Sequence, residues 1–104
     1  MTLQAAQIGR MKELLEQIAK ALVDNPDAVD VRQVDGGRVT VFELRTHPDD
    51  VGKVIGRQGR TVKAIRTLLG AMGMKLHRRF ILEIVEERSS LGQQRVAREN
   101  NAVK

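Results

Sequence analysis

Two glycines three residues apart, Gly56 and Gly59 in "VIGRQGRTV" (54–62), constrain this chain more than any other feature. They fall in a stretch whose apolar spacing is otherwise helical, and a glycine inside a helix costs about 1 kcal/mol relative to alanine. The pair divides the segment into two helices joined by the turn Gly56-Arg57-Gln58-Gly59. "HPDD" at 47–50 opens the first helix, with Pro48 or Asp49 at its start and acids suited to the positive end of the dipole. Val51 to Ile55 gives barely more than one turn. After Gly59, "RTVKAIRTLLGAM" places Val62, Ile65, Leu69 and Met72 on one face, and Gly70 and Gly73 mark the exit.

The flanks supply the other elements. "MKELLEQIAKALV" at 11–23 spaces Met11, Leu14, Leu15, Ile18 and Leu22 for an amphipathic helix. Its register carries back to Ile8, so residues 1–10 either extend the helix or form a loose arm. Pro26 ends it. Val29 to Val34 is a short β-type run, "DGG" at 35–37 a hairpin signal, and Arg38 to Thr46 the partner strand. Val39 and Val41 fall on one face of that strand, Phe42 and Leu44 on the other, so both faces are expected to be covered. Arg79 to Glu86 alternates Phe80, Leu82 and Ile84 inward as a last strand. The stretch from 89 to 104 is polar and reads as a mobile tail or a frayed helix.

The order is helix, strand, strand, helix, helix, strand. A crossover makes the last two strands parallel, and the hairpin makes the first two antiparallel. The expected fold is α+β: a three-stranded mixed sheet with helices on one face. Residues 11–88 form its one domain, a size that 104 residues allow.

Charge narrows the function. From Gly52 to Phe80 the chain carries Lys53, Arg57, Arg60, Lys63, Arg66, Lys75, Arg78 and Arg79 and no acid, whereas the remainder has 10 bases against 13 acids. The positive excess of +5 is therefore confined to one stretch, a field that attracts polyanions. With two phenylalanines and no Trp or Tyr, aromatic platforms for base stacking are lacking. The chain has no cysteine, which excludes disulfides and thiolate chemistry. Apolar runs are too short to span a bilayer and no signal-peptide pattern opens the chain, so a cytoplasmic protein without a membrane partner is expected.

At the turn, backbone amides at the start of the second helix lack intrahelical partners and the dipole is positive. Glycines remove side chains that would hold a phosphate backbone away. Arg57 and Arg60 add charge beside the turn, with Lys53 and Lys63 one turn to either side. The chemistry suits sugar–phosphate rather than a base edge. Ile55 and Val62 are placed to floor an apolar groove for bases. The last strand, with Lys75, Arg78 and Arg79 before it, is a candidate second wall.

"VGKVIGRQGRTVKAIRTLL" resembles the core of a KH domain, whose G-x-x-G loop clamps nucleic-acid backbone. The helix-first order resembles the type II arrangement. "LLEQIAKALVDNPDAVDV", "HPDDVGKVIGRQGRTVKAIRTLL" and the final strand, about residues 11 to 86, are similar to the small single-KH bacterial RNA-binding proteins of the KhpA family. That resemblance implies single-stranded RNA as ligand and a clamp at Gly56, Arg57, Gln58 and Gly59, with Lys53, Ile55, Arg60 and Lys63 around it. It also implies a post-transcriptional regulator or RNA chaperone that forms homodimers or pairs with a Jag-type (KhpB) KH protein. Gln58 departs from loops that carry a second small or basic residue there.

Other chemistries fit poorly. A dinucleotide fingerprint needs G-x-G-x-x-G, and position 54 is Val; no Gly-Lys-Ser/Thr completes a P-loop. His47 and His77 read as surface residues with no partner for a metal site or triad. Asp49 and Asp50 read as helix-start acids, and Met11, Met72 and Met74 as core filler. No enzyme activity, metal or cofactor is expected. The rival reading is an adaptor that uses the KH-like faces to bind protein.

Overall fold

The computed structural model describes residues 2–87 and 94–96. Helix α1 spans Leu3–Leu22, capped by the Thr2 hydroxyl, which accepts from the Ala5 amide at 3.0 Å. Residues 3–10 are thus helical. Strands β1 (Asp30–Gly36) and β2 (Val39–Arg45) form an antiparallel hairpin about Gly37, whose φ of +61° a glycine adopts without strain. A 3₁₀ turn at Pro48–Asp50 leads into α2 (Val51–Ile55), and a second one at Arg57–Gly59 joins it to α3 (Arg60–Leu76). Strand β3 (Arg79–Glu87) returns parallel to β2, pairing Phe42 with Leu82.

The helices cover one face of the sheet. Val31, Thr40, Phe42, Leu44, Phe80, Leu82 and Ile84 point inward from it and are buried. Ile8, Met11, Leu15 and Ala19 of α1 and Val62, Ile65 and Leu69 of α3 meet them. The two phenylalanines stack with centroids 5.9 Å apart and planes at 28°. Thr40, fully buried, accepts from Arg78 Nη2 at 2.8 Å and donates to Asp35 at 3.0 Å, fastening the hairpin to the start of β3.

Several local expectations change. The sheet has four strands in the order β1-β2-β3-β4, because β4 (Gln94–Val96) pairs antiparallel with Val85–Glu87. The reading of 89–104 as a tail or frayed helix misses that strand and otherwise lies outside the described residues. Val39 and Val41 are only half-buried, since the helices cover the opposite face. Leu14 and Leu22 are exposed at 43% and 38%, and Ala19 takes the inward position. Met74 is 80% exposed, so it is not core filler.

Helix α3 does not exit at Gly70 or Gly73. It runs to Leu76 and stops at His77, which takes the left-handed conformation at φ +58°. The Arg78 amide closes the end on the Gly73 carbonyl at 3.0 Å. Gly73 is required there by close approach, because a Cβ would collide with the Arg78 carbonyl oxygen. Gly70 has open space around the same position. Alanine should therefore act with opposite sign at the two sites. Gly70→Ala should stabilise by about 0.5–1 kcal/mol through helix propensity, and Gly73→Ala should destabilise by about 1–3 kcal/mol through overpacking. Urea denaturation of the two variants measures both.

Candidate nucleic-acid interface

The turn between α2 and α3 is built from three left-handed residues. Gly56 has φ +80°, Gln58 +58° and Gly59 +74°. Gly56 is fixed twice: by its φ, and because a Cβ would meet the Thr61 hydroxyl and lie 2.9 Å from the Thr61 amide. Gly59 has only Lys63 Cε at 3.9 Å near its Cβ position, so backbone conformation alone requires it. Gln58 holds a conformation that side chains seldom take.

Hydrogen bonding within the turn sorts the amides. Gly56 donates to the Gly52 carbonyl at 2.9 Å, closing α2, and Gly59 donates to the Gly56 carbonyl at 3.0 Å. Arg60 donates to the Arg57 carbonyl. Of residues 57–60, only Arg57 and Gln58 keep amides outside the turn's own bonds among the described residues.

The eight bases of the acid-free stretch do not form one patch. Arg57, Gln58, Arg60 and Lys63 are exposed around the turn and no carboxylate pairs with them among the described residues. Lys53, one turn earlier, lies 3.5 Å from Asp24 and 3.9 Å from Asp50, so its charge is partly satisfied by the protein. Ile55 is half-buried and packs on the core. Val62 is 1% exposed and belongs wholly to the core, so it cannot floor a groove as the spacing suggests.

Arg66 turns toward β3, where its Nη2 donates to the Leu82 carbonyl at 2.9 Å and its Nε is buried without a partner. Burial pushes the guanidinium pKa down, and the nearby charge of Glu83 acts against that. Helix α3 runs antiparallel to β3, since Gly73 meets Arg78 and Phe80 while Arg66 meets Leu82. Arg78 and Arg79 therefore sit at the far end of α3 from the turn. They are not a second wall beside it.

Sequence reasoning missed the role of Asp50. It is 1% exposed and caps nothing on its own helix. Instead its Oδ2 accepts from the Asn25 backbone amide at 2.9 Å and side-chain amide at 3.0 Å, tying the chain after α1 to the start of α2. The helix-start contact is made by His47, whose Nδ1 accepts from the Asp49 amide at 3.0 Å. Neither long-range bond leaves a spacing signal. Only an Asx residue far along the chain, Asn25 beside Pro26, hints at it.

A helix, a hairpin and a helix–glycine turn–helix crossing to a parallel strand, with exposed bases at that turn, define a KH domain in the helix-first arrangement. The chain belongs to the family described as "KhpA/KhpB, KH domain", whose model matches residues 12–84. It is 53% identical over 75 residues to a protein named RNA-binding protein KhpA from Caldanaerobacter subterraneus subsp. tengcongensis, covering 72% of this chain and all of that one. A protein of the same name from Aquifex aeolicus is 49% identical over 79 residues, 76% of this chain and all of that one. The fold is also similar to part of a crystal structure of an Era point variant from Aquifex aeolicus bound to GDP and AlF4−. That match has a TM-score of 0.50 at 20% identity, covering 70% of this chain and 28% of that chain, and it bears on fold alone.

The carboxylate at Asp50 gives a pH prediction. Burial is the largest single influence and raises its pKa, but the bonds from Asn25 and Asp24 and the charge of Lys53 together outweigh it, so the net shift is downward. A carboxylate with a lowered folded-state pKa stabilises above its unfolded value, about 3.9, and that contribution is lost as pH falls through the folded value. Asp50→Asn should thus be less stable than the parent near neutrality. The difference should narrow below about pH 4, as read by thermal melts across pH.

Proposed function

We propose that this protein is a non-enzymatic, cytoplasmic binder of single-stranded RNA that grips the sugar–phosphate backbone at Gly56-Arg57-Gln58-Gly59. The observation that carries this is the turn itself: three left-handed residues among its four leave two backbone amides outside its own bonds, beside exposed Arg57, Arg60 and Lys63, which no carboxylate pairs among the described residues. The relatives named RNA-binding protein KhpA support it. Arg57 and Arg60 meet phosphates as forks and Lys63 as a point charge; Lys53, held by Asp24 and Asp50, contributes less. Ile55 borders the strand. The KH unit is assigned to residues 11–88, with 1–10 extending its first helix and 89–104 a polar stretch that adds β4 (Gln94–Val96) to the sheet.

Self-association accompanies this activity. Leu14 and Leu68 are exposed at 43% and 52% beside Ile18 and Met72, which makes an apolar seam between α1 and α3. That seam suits a second copy or a KhpB-type KH protein, the partner that the family's description suggests. A domain holding about four nucleotides gains affinity when paired, through effective concentration.

Replacing Arg57 and Gln58 together by Asp tests the site. Aspartate tolerates the left-handed conformation at position 58, and exposed substitutions shift stability by about 0.5 kcal/mol or less. The variant should melt like the parent yet bind single-stranded RNA more than about tenfold more weakly, a loss of about 1.4 kcal/mol. Retained affinity in the folded variant would make the turn a mere connector.

Salt dependence supplies a second measure. Three phosphate contacts should give a slope of log K against log salt of about −2, at about −0.7 per contact for single strands. A slope near zero contradicts a phosphate-centred site.

A further inference from the structure

At the end of α3 farthest from the glycine turn, the helix, β3 and the hairpin enclose an open cleft of about 780 Å³. Among the described residues Arg38, Arg78 and Arg79 line it and no carboxylate does. Exposed Met74 and the half-buried Val39 give it apolar surface. Arg78 is held in place by Thr40, at 3.2 Å from Nε and 2.8 Å from Nη2, whereas Arg38 and Arg79 are exposed and form no ion pair among the described residues.

One stripe of α3 leads from beside the turn to the cleft. Positions 63, 66, 70 and 74 follow one another at three- and four-residue spacing, so they share one stripe of α3. From Lys63 to Met74 that stripe is about 17 Å long, at about 1.5 Å per residue. Gly70 lies on it, lines the cleft, and has nothing within 4 Å of its Cβ position. No packing demand explains a helix-weakening residue there. Its effect is to keep the cleft open.

We infer that this cleft is a second phosphate-binding site, which holds the RNA strand as it leaves the turn and extends the footprint beyond the turn's own nucleotides. The inference rests on the turn reading above. The carbonyl end of a helix opposes anions, but the Gly73 carbonyl is occupied by the Arg78 amide and the Leu76 carbonyl by the Gln4 side chain at 2.8 Å. Three guanidinium groups face what is left of that dipole.

Fluorescence-labelled oligouridylates of about four nucleotides, the span of one KH domain, and of about ten provide the test. The full chain should bind the longer one at least about tenfold more tightly, about 1.4 kcal/mol. Arg38→Ala combined with Arg79→Ala should bind the short oligomer within about twofold of the parent, lose the gain with length, and lower the salt slope by about 1.4, two contacts' worth. Gly70→Leu, which fills the cleft without changing charge, should lose the same gain. No gain with length in the parent, or a gain that survives either change, overturns the cleft. If the cleft variants lose that gain as expected while Arg57→Asp with Gln58→Asp binds the short oligomer like the parent, the turn reading falls instead, and with it the idea that the cleft extends the turn's footprint.

Discussion

The parallel pairing of β2 with β3 sets the terms for the rest of the molecule. Parallel neighbours cannot be joined by a tight turn, so the chain leaves β2 at Arg45, crosses the sheet, and re-enters at Arg79. A single helix commonly makes such a crossover; here the chain divides it into a five-residue α2 and a 17-residue α3. The break then has to be sharp, and three left-handed residues make it so. The amides and bases exposed at that break come from how the crossover is divided, since parallel pairing alone asks only for a crossover.

The same crossover explains how charge is distributed. Acids are absent from Gly52 to Phe80, yet the chain folds that stretch so that its bases meet different surroundings. Lys53 is drawn toward Asp24 and Asp50, Arg66 toward a strand carbonyl, and Arg78 toward a buried threonine. What stays uncommitted is concentrated at the two ends of α3. A sequence-level count of positive charge overstates the part that a ligand meets.

The order of elements, the glycine turn, the hairpin and the inward residues of β3 were legible in the sequence, because each is written in local periodicity or in glycine placement. The misreadings share a cause. Asp50 looks like a cap until Asn25 arrives from the end of α1. Gly73 looks like a helix stop until the Arg78 carbonyl presses against it. Val62 looks available to a ligand until the sheet covers it. At the turn itself the sequence locates the residues, but which amides are already spent inside it depends on dihedral angles that no spacing encodes. His77 ends α3 in a conformation for which the pattern offered a glycine four residues earlier.

Arg66 carries a consequence for how the molecule behaves in a crowd of its own kind. Strand β4 covers β3 only from Val85 to Glu87, so among the described residues no strand pairs with that side of the preceding stretch, a margin on which another extended chain could add. The guanidinium occupies the Leu82 carbonyl on that margin, in a setting dry enough to leave its Nε without a partner. An incoming strand would have to displace that charged group before it could pair with the Leu82 carbonyl. The arginine thus guards that margin against strand addition.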